Sequence, residues 1–156
     1  MDEQVVLVCG PAGAGKSTHA ARLAAQGYAW LSFDRIAWEL GHREHPLDPD
    51  AAGVVHGIIR ERLLTAVAAG ERVVVDTSFW SRAARDDYRA LLAPAGVVPV
   101  VHHLRASEAT MRARVAARSG DGPDDVPVPP DRMSGYLRGF EAPTADEGPV
   151  RVISTE

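Results

Sequence analysis

The stretch VVLVCGPAGAGKSTHA, residues 5–20, constrains this chain more than any other. A β-branched apolar run ends in a glycine-rich turn, and an alanine-rich stretch begins at Lys-Ser-Thr. A run apolar at every position predicts a strand buried on both faces. Glycines at 10, 13 and 15 allow a tight turn whose successive N–H groups point inward as an anion nest. A helix starting near Lys16 adds its positive N-terminal dipole. The spacing Gly, four residues, then Gly-Lys-Ser over Gly10–Ser17 is that of a P-loop. It predicts a triphosphate cradle made by Gly10, Ala12, Gly13, Ala14, Gly15, Lys16, Ser17 and Thr18. Lys16 then reaches the β- and γ-phosphates, and the Ser17 hydroxyl ligates Mg²⁺. No Asn-Lys-x-Asp guanine signature occurs, so ATP is the expected nucleotide.

The remainder of the chain alternates between the two periodicities. Strands are expected at Tyr28–Phe33, Arg72–Val75, Val97–Leu104 and Val150–Ile153. Helices are expected over Ser17–Gln26, over a short Asp34–Leu40, and from Ala51, where Val54, Val55, Ile58, Ile59, Leu63 and Val67 form one stripe. Ser81 and Ser107 cap two more, ending near Leu92 and Arg118. The segment Gly41–Asp50 reads as a loop. SGDGPDDVPVPP, from Ser119 to Pro130, reads as a mobile loop outside the core. A weaker helix carries Met133, Leu137 and Phe140. Alternating strands and helices predict an α/β fold, a parallel sheet of about five strands covered on both faces in a single domain. Ligands of such sheets bind beyond the carboxyl ends of the strands. Gly10, Asp34, Asp76 and Leu104–Arg105 all fall on that rim.

The net charge of −4 argues against a dedicated binder of long nucleic acid. One cysteine, Cys9, excludes an internal disulfide framework and fits a reducing compartment. The start Met1-Asp2-Glu3-Gln4 lacks the basic residues of a signal peptide. No stretch approaches the ~18 apolar residues of a membrane span. A cytoplasmic protein is expected, with its oligomeric state undetermined.

Three further groups carry candidate chemistry. Asp34, in LSFDRIAW, stands where an acceptor hydroxyl would approach the γ-phosphate and is a candidate to orient it or take its proton; a helix N-cap is the plain alternative. Asp76 ends an apolar strand and is a candidate for the Ser17–Mg²⁺ shell, against a turn-forming Asp beside Thr77 and Ser78. Arg114 and Arg118 lie four apart on one helix face ahead of the Pro/Asp loop. With Arg112 they predict a lid, about residues 112–132, that closes over the triphosphate; solvated surface arginines are the alternative. Phe79 and Trp80 follow Asp76 closely and are candidates to wall an acceptor pocket, although aromatic residues are core by prior. His102 and His103 sit in a strand, one inward and one outward.

GPAGAGKST, LSFDRIAW, GERVVVDTSFWSRAARDDYRALL, RARVAAR and FEAPTADEG together resemble the small P-loop kinases related to polynucleotide 5′-kinase, with zeta-toxin-type kinases more distant. The resemblance implies a nucleoside-kinase-like P-loop NTPase fold with a mobile lid, and phosphoryl transfer from ATP to a hydroxyl. It implies Asp34 as base and Arg114 and Arg118 as lid arginines, with Phe140–Gly148 bordering the nucleotide base. Where polynucleotide kinases carry an arginine that grips the substrate phosphate, this chain has Ala37; Arg35 is the candidate replacement. The leading expectation is therefore an ATP- and Mg²⁺-dependent kinase of a small molecule such as a nucleoside, sugar or antibiotic. A polynucleotide 5′-hydroxyl kinase and a P-loop ATPase or switch without an acceptor are the alternatives.

Overall fold

The computed structural model describes residues 3–44 and 46–156. Met1 and Asp2 of the acidic start, and His45 of the expected loop, lie outside them. Five strands form one parallel sheet in the order β2-β3-β1-β4-β5: β1 (Val5–Cys9), β2 (Ala29–Ser32), β3 (Val73–Asp76), β4 (Val100–Arg105) and β5 (Val150–Ser154). The helices are α1 (Lys16–Ala25), α2 (Phe33–Glu39), α3 (Pro49–Ala68), α4 (Arg82–Leu92), α5 (Glu108–Ala116) and α6 (Pro130–Gly139).

Alternation along β1 divides the core. Val5, Leu7 and Cys9 pack in one cluster with Ile36 of α2, Val55, Ile59 and Leu63 of α3, and Tyr88 and Leu92 of α4. Val6 and Val8 pack in the other with Ala20 of α1, Met111 and Val115 of α5, and Met133 of α6. The result is three layers, and every residue of β1 is fully buried. That is why the strand reads as continuously apolar.

Several expectations about detail change. α3 begins at Pro49, inside the segment read as a loop, because Asp48 caps it by accepting from the Ala51 amide at 2.9 Å and proline suits the first helical position. Val54 leaves the apolar stripe and is exposed, while Val55, Ile59, Leu63 and Val67 are buried. β4 begins at Val100, since Pro99 precedes it. The Pro/Asp segment does contribute to the core, for Val126 is buried. Its acidic residues also organise it: the Ser119 amide and hydroxyl donate to Asp125 at 2.9 and 2.6 Å. His102 and His103 are both buried, since both faces of the sheet are covered. His102 meets His19 of α1, while His103 meets Phe140.

Candidate active site

The chain turns to one side of β1 for β2 and β3, and to the other for β4 and β5. The loop after β1 thus stands at the point where strand order reverses, beyond the carboxyl ends, where parallel sheets open a crevice. Register aligns the rim. Val8 lies level with Asp76, and Asp76 with Ser32. Cys9, Asp76 and Asp34 are therefore brought to one end of three neighbouring strands.

The loop geometry demands its glycines. Gly13 has φ +82°, and a Cβ there would come within 2.4 Å of the Met111 carbonyl oxygen. Gly15, at φ +100°, forms the N-terminal boundary of α1. The Lys16 ammonium turns back across the loop and donates to the Gly10 and Pro11 carbonyls at 2.8 and 3.0 Å. Burial lowers the Lys16 pKa, and the carboxylates of Asp76 and Asp34 oppose that. Ala14 is fully buried, and its amide donates to the Pro11 carbonyl at 3.1 Å. Ser17 is half-buried and Thr18 exposed on the first turn of α1.

A cavity of about 750 Å³ opens from this loop. Pro11, Ala12 and Lys16 line it together with Asp34, Asp76 and Arg118. Its apolar wall comes from Phe33, Leu47, Phe79, Trp80, Tyr88, Tyr136 and Phe140. Asp34 is the second residue of α2, and the cap position belongs to Ser32, whose hydroxyl accepts from the Arg35 amide at 3.2 Å. Capping therefore does not account for Asp34. Asp76 is buried and accepts from the Trp30 indole N–H at 3.1 Å. Burial pushes its pKa up to about 6, with Lys16 pulling the other way and Asp34 adding to the rise.

The two arginines expected to share a lid face are separated. α5 ends at Ala116, so Arg118 lies past the Ala117 cap, lines the cavity and donates to the Val126 carbonyl at 3.1 Å. Arg114 does not line the cavity. It donates to the Gly13 carbonyl at 3.1 Å and to the Thr155 hydroxyl at 3.0 Å, and also to the Thr155 carbonyl. The Thr155 hydroxyl in turn donates to the Ala14 carbonyl at 2.6 Å. Arg114 thus braces the phosphate loop from behind. Arg112 pairs with Glu108 at 3.1 Å, on the exposed side. Arg35 also stands outside the cavity: its guanidinium lies 3.7 Å from the Trp30 ring centroid and pairs with Asp124 at 3.1 Å. It ties the β2–α2 junction to the Pro/Asp segment. Ala37 is buried in the core.

Phe79 carries the one positive φ among the described non-glycine residues, +44°. Its ring meets Tyr88 edge-on at 4.9 Å. The turn is fixed from behind by a buried network. Arg85 donates to the Phe79 carbonyl at 2.7 Å and pairs with Glu147 at 2.7 Å, both side chains at 0% exposure. The Gly10 amide donates to the Ser78 carbonyl at 3.1 Å, joining the same turn to the phosphate loop. Much of the Phe140–Gly148 segment therefore supports the Phe79–Trp80 turn: Glu147 holds Arg85, and the Glu141 amide donates to the Trp80 carbonyl at 2.7 Å. Sequence reading missed His56, Arg60, Tyr88, Trp30 and Thr155. Only the α3 stripe, which leaves His56 and Arg60 on an adjoining face, carried any signal for them.

A family model described as an AAA domain, AAA_33, matches residues 5–143. The chain belongs to this family. Its fold is that of the P-loop kinases, a five-stranded parallel sheet with helices on both faces. Among solved structures it is similar to a gluconokinase from Sinorhizobium meliloti 1021, at 26% identity over 97% of this chain and 82% of that one, with a TM-score of 0.68. A sugar kinase from Janibacter sp. HTCC2649 shares the fold at 19% identity over 98% and 86%, with a TM-score of 0.70. So does a chain of the Pnkp1/Rnl/Hen1 RNA repair complex, at 12% identity over 86% and 43%, with a TM-score of 0.74. No curated protein sequence matches the chain. Among the described residues, no helix is long and apolar enough to cross a membrane.

Proposed function

We propose that this AAA_33 domain is an ATP-dependent phosphotransferase that moves the γ-phosphoryl group to a hydroxyl of a small molecule. The observation that carries the reading is the shared wall: Lys16, Asp34, Asp76 and Arg118 line one cavity whose other side is largely aromatic. The loop amides and Lys16 would hold the phosphates. Asp34, beside them, would accept a hydrogen bond from the acceptor hydroxyl and take its proton as the new O–P bond forms and the bond to ADP breaks. Lys16 and Arg118 would neutralise charge on the transferring group.

The donor set fits Mg²⁺. The Ser17 hydroxyl and the Asp76 carboxylate are hard oxygen ligands, and this ion is commonly held by one or two protein oxygens plus phosphates and waters. Among the described residues no cluster of three or more His, Cys, Asp or Glu is poised for a metal. When bound, the ion would supply further neutralisation of phosphate charge.

A small acceptor is favoured over a polynucleotide on two grounds. Ala37 is buried, and Arg35 is engaged by Asp124 and Trp30. Neither of these positions offers a grip for an acceptor phosphate. The gluconokinase similarity points the same way.

The test is ADP release against a panel of hydroxyl compounds, with 5′-hydroxyl oligonucleotides alongside. Asp34→Asn should cut acceptor-dependent turnover roughly 10²–10⁴-fold, the usual worth of a positioned base, with nucleotide affinity retained. Unchanged turnover in that variant would remove the base. ADP release that no acceptor stimulates would remove the kinase reading.

A further inference from the structure

The cavity is also lined by polar groups that the proposed phosphoryl transfer does not use. Tyr88 is buried at 3% exposure on this wall; its hydroxyl closes no hydrogen bond of normal geometry among the described residues, and the Arg60 guanidinium is the polar group beside it. A buried hydroxyl whose O–H donates to no protein acceptor is a ready donor to a ligand oxygen. Arg60 also lines the cavity, its guanidinium carbon 5.7 Å from the Tyr88 ring centroid. No ion pair engages Arg60 among the described residues, although Arg82, Arg85 and Arg89 of α4 are all paired. His56 stands one turn before it on α3, packed on Phe33 at 4.9 Å. Burial, with the Arg60 charge, lowers the His56 pKa, so the ring presents a neutral donor and acceptor.

We infer that the acceptor carries a carboxylate, bound by the Arg60 guanidinium with the Tyr88 hydroxyl and the His56 ring, while its reacting hydroxyl faces Asp34. This rests on the kinase reading and names the acceptor class. A guanidinium fork matches the two oxygens of a carboxylate, and the Tyr88 hydroxyl would donate to one of them. The charge balance favours a monoanion over a phosphate dianion: besides Lys16 and Arg118 at the phosphate loop, Arg60 is the one arginine or lysine among the described lining residues, and Asp87 also lines the wall. The flanking faces of Phe33 and Phe79 suit the C–H surface of a short polyhydroxylated or hydroxy-acid chain.

Matched acceptor pairs test it through ADP release: gluconate with sorbitol, glycerate with glycerol, pantothenate with panthenol. In at least one pair the carboxylate member should have a kcat/KM at least ~10–100-fold above its neutral partner, the worth of a charge-assisted pair. Arg60→Leu should erase that preference mainly by raising the carboxylate's KM, because an interaction made equally in ground and transition states is lost. Arg60→Lys should restore part of it. Phosphorylation with no such preference in any pair, or a preference that survives Arg60→Leu, overturns the inference and leaves the kinase intact. ADP release indifferent to every member of the panel overturns both.

Discussion

Glu147→Leu should destabilise this protein more than Arg85→Met, and the two changes together should cost less than their sum. Arg85 is fully buried, and its Nε and Nη2 reach the Glu147 carboxylate at 2.7 and 3.2 Å. Removing Glu147 leaves the guanidinium with the Phe79 carbonyl at 2.7 Å and the Cys9 sulfur at 3.9 Å. A buried charge stripped of its counter-ion typically costs about 3–5 kcal/mol. The reverse change is milder. With Arg85 gone, Glu147 keeps Arg89 at 3.3 Å and the Thr144 amide at 3.2 Å. Lost hydrogen bonds to charged groups then set the cost, about 2–3 kcal/mol. In the double variant neither charge is orphaned, so a coupling of at least about 2 kcal/mol is expected. Urea unfolding at 25 °C, with the slope m unchanged, measures all four corners of the cycle. Additivity within about 0.5 kcal/mol, or Arg85→Met proving the costlier, would refute the reasoning. Arg85→Met should also raise the acceptor KM, because the Phe79 turn, at φ +44°, loses the donor that holds its carbonyl.

Gly13→Ala should weaken nucleotide binding at least ~10-fold or cost about 2 kcal/mol or more, since its Cβ meets the Met111 carbonyl oxygen at 2.4 Å in a left-handed residue. Gly57→Ala, in α3 with nothing within 4 Å of the added carbon, should instead stabilise by up to about 1 kcal/mol; thermal melts and nucleotide titration separate the two. Acid should act through a partly buried chain of groups. His19 Nε2 lies 2.9 Å from His102 Nδ1, and His102 Nε2 lies 2.6 Å from the Glu3 carboxylate. Burial, aided by the charges of His102, Arg22 and Arg151, pushes the His19 pKa down to about 4 from the usual 6.5. The unfolded chain therefore binds more protons between those values, so this contribution is full above pH 6.5 and fades as pH falls towards 4. His19→Asn should flatten the decline of Tm between pH 7 and 4.5, and parallel Tm curves would exclude His19 as its source.

The phosphate loop was legible because its chemistry is contiguous. Seven or eight successive residues build the turn, its amides and the lysine, and a glycine pattern records the backbone they require. The parallel sheet was legible for a related reason, since runs such as VVLVC of β1 and the VVV that opens β3 are apolar throughout only where both faces are covered. Asp34 and Asp76 could be placed on the rim because strand ends are a topological position. Side-chain direction was not legible. Arg114 and Arg118, four apart, part company because α5 stops at Ala116 between them. The cavity wall away from the phosphate loop draws on Phe33, Arg60, Phe79 and Tyr88, from three separate helices and a strained turn. No local pattern links residues that meet only after β3 has inserted between β1 and β2. Sequence alone thus determined what the chain grips at the strand ends, since that grip is made by neighbouring backbone. Tertiary packing decided what faces it across the cavity, since that wall is made of side chains far apart along the chain.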